Sequence, residues 1–112
     1  SVIMSDRVRI GEGTIICAGT ILTTDIELGR HVTLNLDCTI GHDVKISDYT
    51  TVYPSVNISG NVSIDCAVEL GTGSHIIQGK HIGEQSIIGA GTVVIRDIPP
   101  RCTAVGNPAR IL

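Results

Sequence analysis

Aromatic residues are almost absent from this chain, which has no Phe, no Trp and only two Tyr. Nevertheless, 42 % of its 112 residues are hydrophobic. Aromatic side chains supply much of the bulk of an ordinary globular core. A core built without them must be narrow and filled by branched aliphatic side chains, and the chain is long enough for one such domain.

The chain also lacks the features of several other protein classes. No apolar run approaches the roughly 18 residues of a membrane span, and the N-terminal residues do not resemble a secretory signal peptide. A formal net charge of −3 and a pI near 5.7 argue against a nucleic-acid-binding surface. The four cysteines form no Cys-x-x-Cys pair. We therefore expect reduced thiols and a cytoplasmic protein that binds neither membranes nor nucleic acids.

A six-residue repeat dominates the sequence. An α-helix would show a period near 3.6 and an alternating strand a period of 2, so a period of six indicates a short strand and a turn, repeated. The residue four positions after each aliphatic one is small or β-branched, except Lys80. The aliphatic positions, without one break in register, are Met4, Ile10, Ile16, Leu22, Leu28, Leu34, Ile40, Ile46, Val52, Ile58, Ile64, Leu70, Ile76, Ile82, Ile88 and Val94.

This repeat predicts an all-β solenoid, a single-stranded parallel β-helix whose aliphatic and small positions both point inward. Three hexads close a triangular coil of about eighteen residues, so the chain should contain about five coils. We expect the helix to cover residues 1–98. Residues 99–112 should form a C-terminal cap, because Pro99 and Pro100 cannot extend the ladder.

Lys80 departs from the pattern, because an unpaired ammonium in an inward position is costly. Either the coil bulges at Gln78 and Gly79, or the side chain reaches solvent or a neighbouring chain. The sequence leaves both possibilities open.

His42 is the most informative candidate for chemistry. It lies at an outward corner position in Ile40-Gly41-His42-Asp43-Val44, where the alternative is a solvated surface histidine. Asp43 could hold one imidazole tautomer, and Gly60, one coil of eighteen residues later, offers bare backbone beside the ring. Histidine is the usual side chain for proton abstraction near neutral pH, so the three residues predict a general base.

The hexads resemble a known motif. Ile10-Gly11-Glu12-Gly13-Thr14 and Ile88-Gly89-Ala90-Gly91-Thr92 match in full the pattern of the left-handed hexapeptide fold. The pattern is an aliphatic residue, then Gly, Ala, Glu or Asp, two variable residues and a small or β-branched residue. The left hand rests on this resemblance, since parallel crossovers are otherwise right-handed in about 98 % of cases.

A more specific resemblance surrounds His42. The segment from Asn35 to Tyr49 resembles the active-site segment of the sialic acid O-acetyltransferase and UDP-amino-sugar N-acetyltransferase family. Ile58-Ser59-Gly60-Asn61-Val62 is similar to the next coil of that family. The runs 89–99 and 105–110 resemble its C-terminal end, which many hexapeptide acetyltransferases share.

The resemblance implies direct transfer of an acetyl group from acetyl-CoA to an amino or hydroxyl group of a sugar or sugar nucleotide. His42 would be the general base, and Asp43 would orient or polarise it. The backbone N–H of Gly60 would approach the thioester carbonyl. The groove for acetyl-CoA would be lined by Thr51, Gly60, Thr72 and Ala90.

The resemblance also implies a homotrimer with active sites between subunits, in which His42 of one chain faces the CoA-binding coils of its neighbour. Relatives usually carry an N-terminal α/β domain that selects the acceptor, and we expect it to be absent from this chain. The acceptor is therefore the least determined feature.

Two alternatives remain open. The first is a catalytically idle trimeric scaffold. The second is a metal protein similar to the γ-class carbonic anhydrases, which would need three zinc ligands. Histidines 31, 42, 75 and 81 are separated by 11, 33 and 6 residues. No pair is separated by a multiple of eighteen, so none would stack in one column, and we predict no metal site.

Overall fold

The computed structural model describes residues 1–112 as eighteen short strands joined by tight corners. The resulting prism measures 38 × 20 × 20 Å. The structure contains no helix with the length and hydropathy needed to cross a bilayer. The strands are β1 Ile3–Met4, β2 Val8–Ile10, β3 Ile15–Ile16, β4 Ile21–Leu22, β5 Ile26–Leu28, β6 Thr33–Leu34, β7 Thr39–Ile40, β8 Lys45–Ile46, β9 Thr51–Val52, β10 Asn57–Ile58, β11 Ser63–Ile64, β12 Glu69–Leu70, β13 His75–Ile76, β14 His81–Ile82, β15 Ile87–Ile88, β16 Val93–Val94, β17 Thr103–Val105 and β18 Arg110–Ile111.

From β1 to β16, every third strand joins the same sheet, which gives the prism three walls. Wall A contains β1, β4, β7, β10, β13 and β16, and wall B contains β2, β5, β8, β11 and β14. Wall C contains β3, β6, β9, β12, β15, β17 and β18. Apart from the antiparallel pair of β17 and β18, pairing within each wall is parallel and shifts by one coil, as in Ile40↔Ile58 and Ile58↔Ile76. The all-β, left-handed parallel β-helix predicted from the hexads is confirmed.

The inward register forms a continuous aliphatic core. Its aliphatic residues from Leu22 to Val94 are at most 2 % exposed. Met4 and Ile10, in the first coil of the described residues, are 44 % and 43 % exposed. Burial of these side chains, at roughly 25 cal/mol per Å² of apolar surface, is the main force that stacks the coils.

Hydroxyl side chains in the small inward position link adjacent coils. Thr50 Oγ1 donates to the carbonyl oxygen of Asp65 at 2.9 Å and accepts from the Val68 amide at 3.3 Å. Ser86 makes the equivalent pair of bonds with Pro99 O at 2.7 Å and the Cys102 amide at 3.2 Å. The hydroxyl of Ser74, also fully buried, has no hydrogen-bond partner.

The C-terminal segment corrects the expected end of the ladder. Ile98 forms a parallel bridge with Ile82, and β17 pairs in parallel with β15 before β18 returns antiparallel. The solenoid therefore has about six turns rather than the five predicted. Pro99 and Pro100 lie in the corner between these pairings, where a strand donor is not required, so they do not stop the stack.

The structure also settles the position of Lys80. Strand β14, which follows it, pairs in register with β11, so the coil does not bulge at Gln78 and Gly79. Lys80 is partly exposed, and its ammonium is not among the buried polar atoms that lack a partner. Its stem occupies the inward column while the charge reaches solvent.

Candidate active site

The corner between walls A and B positions His42 and Asp43. Ile40 and Val44 on either side are both 1 % exposed, so the intervening residues must turn outward. Asp43 makes this turn with a φ of 54°, in the left-handed region that Asp adopts more readily than most residues. The Asp43 amide donates to Thr24 O at 3.1 Å, and His42 O accepts from the Asn61 amide at 2.9 Å. The corner is thus tied to the coils on both sides.

His42 and Asp43 form a pair at the surface of the prism. The His42 Nδ1 atom lies 3.0 Å from Asp43 Oδ2, and the two side chains are 52 % and 56 % exposed. An exposed pair of this kind contributes little to stability. Its consequence is orientation, because the carboxylate can only accept the hydrogen bond from the imidazole.

The imidazole of His42 lies against the backbone of Gly60. A Cβ atom on Gly60 would lie 2.7 Å from Cε1 and 2.8 Å from Cδ2 of the ring, and closer still to Nε2. Gly60 is buried, and its amide donates no hydrogen bond within the chain. The amides at the equivalent corner positions, such as Thr72 and Ala90, donate none either, so what distinguishes Gly60 is the room that its missing side chain leaves for the His42 ring.

The other predicted site residues lie elsewhere on the prism. Thr72 and Ala90 stack at the corner between walls C and A, where the Gly91 amide donates to Thr72 O at 2.8 Å. Thr51 lies in β9 on wall C. Within one chain, only Gly60 of the four predicted cofactor residues lies beside His42.

The remaining histidines have different surroundings. His31 stacks on Tyr49 with ring centroids 5.3 Å apart. His81 forms a second histidine–carboxylate pair, with Nε2 2.9 Å from Asp65 Oδ2, and His75 faces outward on wall A. No group of three His, Cys, Asp or Glu side chains is arranged to hold a metal ion.

Two open cavities on wall B were not predicted from the sequence. The larger, of about 670 Å³, is lined by residues of β2, β5 and β8 and reaches Asp43 at its edge. The second, of about 470 Å³, adjoins it, and the Arg9 side chain lines both. The sequence feature that could have indicated them is the outward-facing column of Arg9, Glu27 and Lys45, which are spaced by one coil.

Burial perturbs one thiol away from this surface. Desolvation raises the pKa of the fully buried Cys38 thiol, although hydrogen bonds from the backbone of Val56 and Ser55 partly oppose the shift. Cys38 is therefore a protonated core residue rather than a nucleophile.

Comparisons with known proteins support the fold. No family model matches the chain. Perosamine N-acetyltransferase from Caulobacter crescentus, solved with CoA and GDP-perosamine, is 34 % identical with a TM-score of 0.99, and the match covers 100 % of this chain and 53 % of that one. A Bacillus cereus structure named as an acetyltransferase, without a stated substrate, is 30 % identical with a TM-score of 0.94, over 99 % of this chain and 69 % of that one.

This chain belongs to the hexapeptide-repeat acetyltransferases. A Staphylococcus aureus protein, also named as an acetyltransferase, is 34 % identical over 108 residues, which cover 79 % of this chain and 54 % of the relative. The family resemblance found in the sequence is confirmed for the β-helix part. The chain spans about half the length of this relative and of the Caulobacter enzyme.

Proposed function

We propose that this chain transfers an acetyl group from acetyl-CoA to an amino or hydroxyl group of a sugar or sugar nucleotide. The observation that carries the proposal is the His42 imidazole, held between the Asp43 carboxylate and the bare backbone of Gly60. Family membership supports it, and the Caulobacter relative binds CoA and GDP-perosamine.

His42 acts as the general base. Because the Asp43 carboxylate accepts the hydrogen bond from Nδ1, the proton belongs on Nδ1 and the lone pair on Nε2. Nε2 then takes the proton from the acceptor amine or hydroxyl, which is worth about 10²–10⁴ in rate. Structures of the Caulobacter relative with one histidine replaced by asparagine or alanine hold CoA and GDP-perosamine, consistent with a histidine that serves chemistry rather than folding.

The transfer is direct. The acceptor nitrogen or oxygen forms a bond to the acetyl carbonyl carbon, and the carbon–sulfur bond of the thioester then breaks. The proton on Nε2 passes to the departing thiolate, which leaves as free CoA. The unpaired Gly60 amide donates to the carbonyl oxygen as negative charge develops there.

The donor site is completed by a second chain. Thr72 and Ala90 lie at the opposite edge of wall A from His42, so a groove that joins them to the base needs a neighbouring subunit. Apolar side chains exposed on wall A, such as Ile3 at 65 % and Ile21 at 39 %, favour such packing. We assign a homotrimer in which Thr51, Thr72 and Ala90 of one chain line the acetyl-CoA groove that faces His42 of the next.

The proposal is tested by measuring release of the CoA thiol with a panel of amino sugars and sialic acids. His42→Ala should lower kcat/KM by about 10²–10⁴, whereas His31→Ala, a histidine at another corner, should leave it unchanged. Equal activity in wild type and His42→Ala would remove His42 from the mechanism. If calorimetry shows no binding of acetyl-CoA to the wild type, the idle scaffold is the better description.

A further inference from the structure

The larger cavity on wall B begins at the candidate active site. Asp43, the carboxylate that holds His42, also lines this cavity of about 670 Å³. The cavity extends from there across β8 and β5 to β2, toward the N-terminal end of the prism. A molecule bound in it would therefore have one end beside Asp43, although His42 itself does not line the cavity.

Most charges around this cavity neutralise one another. The Arg7 guanidinium lies 2.8 Å from Asp25, and the Lys45 ammonium lies 3.8 Å from Glu27. Asp43 is engaged with His42. Only Arg9, on β2, and Asp6, at the first corner, have no ionic partner among the residues that line it.

Arg9 is the cation left to meet a ligand. It lines both cavities on wall B, as Glu27 and Lys45 also do, and Glu27, its neighbour in register, is paired with Lys45 instead. A guanidinium presents a planar fork of N–H donors that matches a phosphate or a carboxylate in two-point contact. Asp6 has the opposite charge and would repel such a group.

The distance between Arg9 and the catalytic pair suits a small acceptor. Arg9 aligns with Glu27 and Lys45, two ladder steps of about 4.8 Å each, and Asp43 lies two residues before Lys45 along the chain, so the backbones of Arg9 and Asp43 are roughly 12 Å apart. A hexose ring with one anionic substituent, met by the long side chain of Arg9, spans this interval. The sugar nucleophile would then extend past Asp43 to Nε2 of His42, which lies against Gly60 in the next coil.

We propose that Arg9 binds an anionic substituent of the acceptor, a phosphate or a carboxylate, and so determines acceptor specificity. This role as an acceptor site rests on the proposed acetyl transfer, but binding of the anionic sugar can be measured without turnover. Arg9 positions the acceptor and takes no part in bond making.

The test is calorimetric titration of glucosamine 1-phosphate, sialic acid and glucosamine into the full chain. We expect at least one of the two anionic sugars to bind more tightly than glucosamine. Arg9→Gln should weaken that binding about tenfold and leave the affinity for acetyl-CoA unchanged. Asp6→Asn, which changes the same cavity with the opposite sign, should strengthen it or have no effect. The sugar that loses affinity in Arg9→Gln identifies the source as phosphate or carboxylate.

Three outcomes separate the two proposals. If neither anionic sugar binds better than glucosamine, or if Arg9→Gln binds as wild type does, the role of Arg9 is wrong while acetyl transfer can still stand. If Arg9→Gln loses anion binding but the wild type releases no CoA with any acceptor, the Arg9 site stands and the acetyltransferase proposal fails. If KM rises in Arg9→Gln for the anionic sugar alone, with kcat unchanged, both are supported.

Discussion

Replacing Gly60 by alanine tests whether the position of the His42 ring controls the chemistry. Gly60 does not have the left-handed φ that would strain a side chain. The new Cβ would lie 2.7 Å from Cε1 of the ring, whereas unbonded carbons rest about 3.5–4.0 Å apart. The imidazole must therefore retreat by about 1 Å, and it can do so because it is half exposed.

The expected effect is large on activity and small on stability. A misplacement of about 1 Å costs roughly 100-fold in rate, so kcat/KM for release of the CoA thiol should fall by about that factor. The free energy of unfolding, from urea denaturation followed by circular dichroism, should change by less than about 1 kcal/mol. The backbone N–H of residue 60 is retained, so loss of that donor does not account for the effect.

Two further variants make the result decisive. In a His42→Ala background, Gly60→Ala should cause no additional loss, because the clashing ring is gone. Gly41→Ala should instead lower stability, since its Cβ would meet the rigid backbone, 2.7 Å from Gly60 N and 2.8 Å from Ser59 C. Wild-type activity in Gly60→Ala, or full additivity in the double variant, would refute the argument.

Three other predictions concern the catalytic pair and the core. Asp43→Asn should lower kcat up to about 100-fold with unchanged affinity for acetyl-CoA, since a neutral amide that both donates and accepts no longer fixes the His42 tautomer and ring position; an unchanged kcat would contradict this. Ser74→Ala should leave unfolding free energy unchanged or raised, because its buried hydroxyl is unpaired, whereas Ser86→Ala should cost about 1–3 kcal/mol. Burial raises the pKa of the Cys38 thiol in the folded chain. As pH rises, the unfolded chain therefore loses this proton before the folded chain does. Stability should therefore fall as pH rises above about 8.5, and Cys38→Val should flatten that decline in urea titrations.

The sequence predicts the walls of the prism because only small or aliphatic side chains fit the inward positions. A polar or bulky residue between Leu22 and Val94 in that register would meet a core without room or partners. The end of the stack was less predictable, since Pro99 and Pro100 suggested a stop. The N–H group that proline lacks matters only where the ladder needs a donor. Ile98, immediately before the two prolines, still donates its amide to His81 O at 2.9 Å.

The candidate site was predictable only where coil spacing decides it. The eighteen-residue coil places Gly60 above His42 whatever their side chains do, and the structure shows the ring against that glycine. The wall B cavity was not predictable in this way. Which of Arg7 and Arg9 finds a carboxylate depends on how long, exposed side chains pair, and the structure gives Asp25 to Arg7.

The same packing occurs at a second corner, and the comparison shows what makes His42 suited to catalysis. A Cβ on Gly13 would clash with the ring of His31, as one on Gly60 would with His42. The other face of His31 is covered by Tyr49, however, and no carboxylate fixes its tautomer. Glycine in the adjacent coil makes room for a histidine at either corner, but only His42 combines that room with a carboxylate that orients the ring. Both corners have room for a histidine ring. Asp43, together with the absence of a stacked aromatic ring, makes the His42 corner the one suited to catalysis.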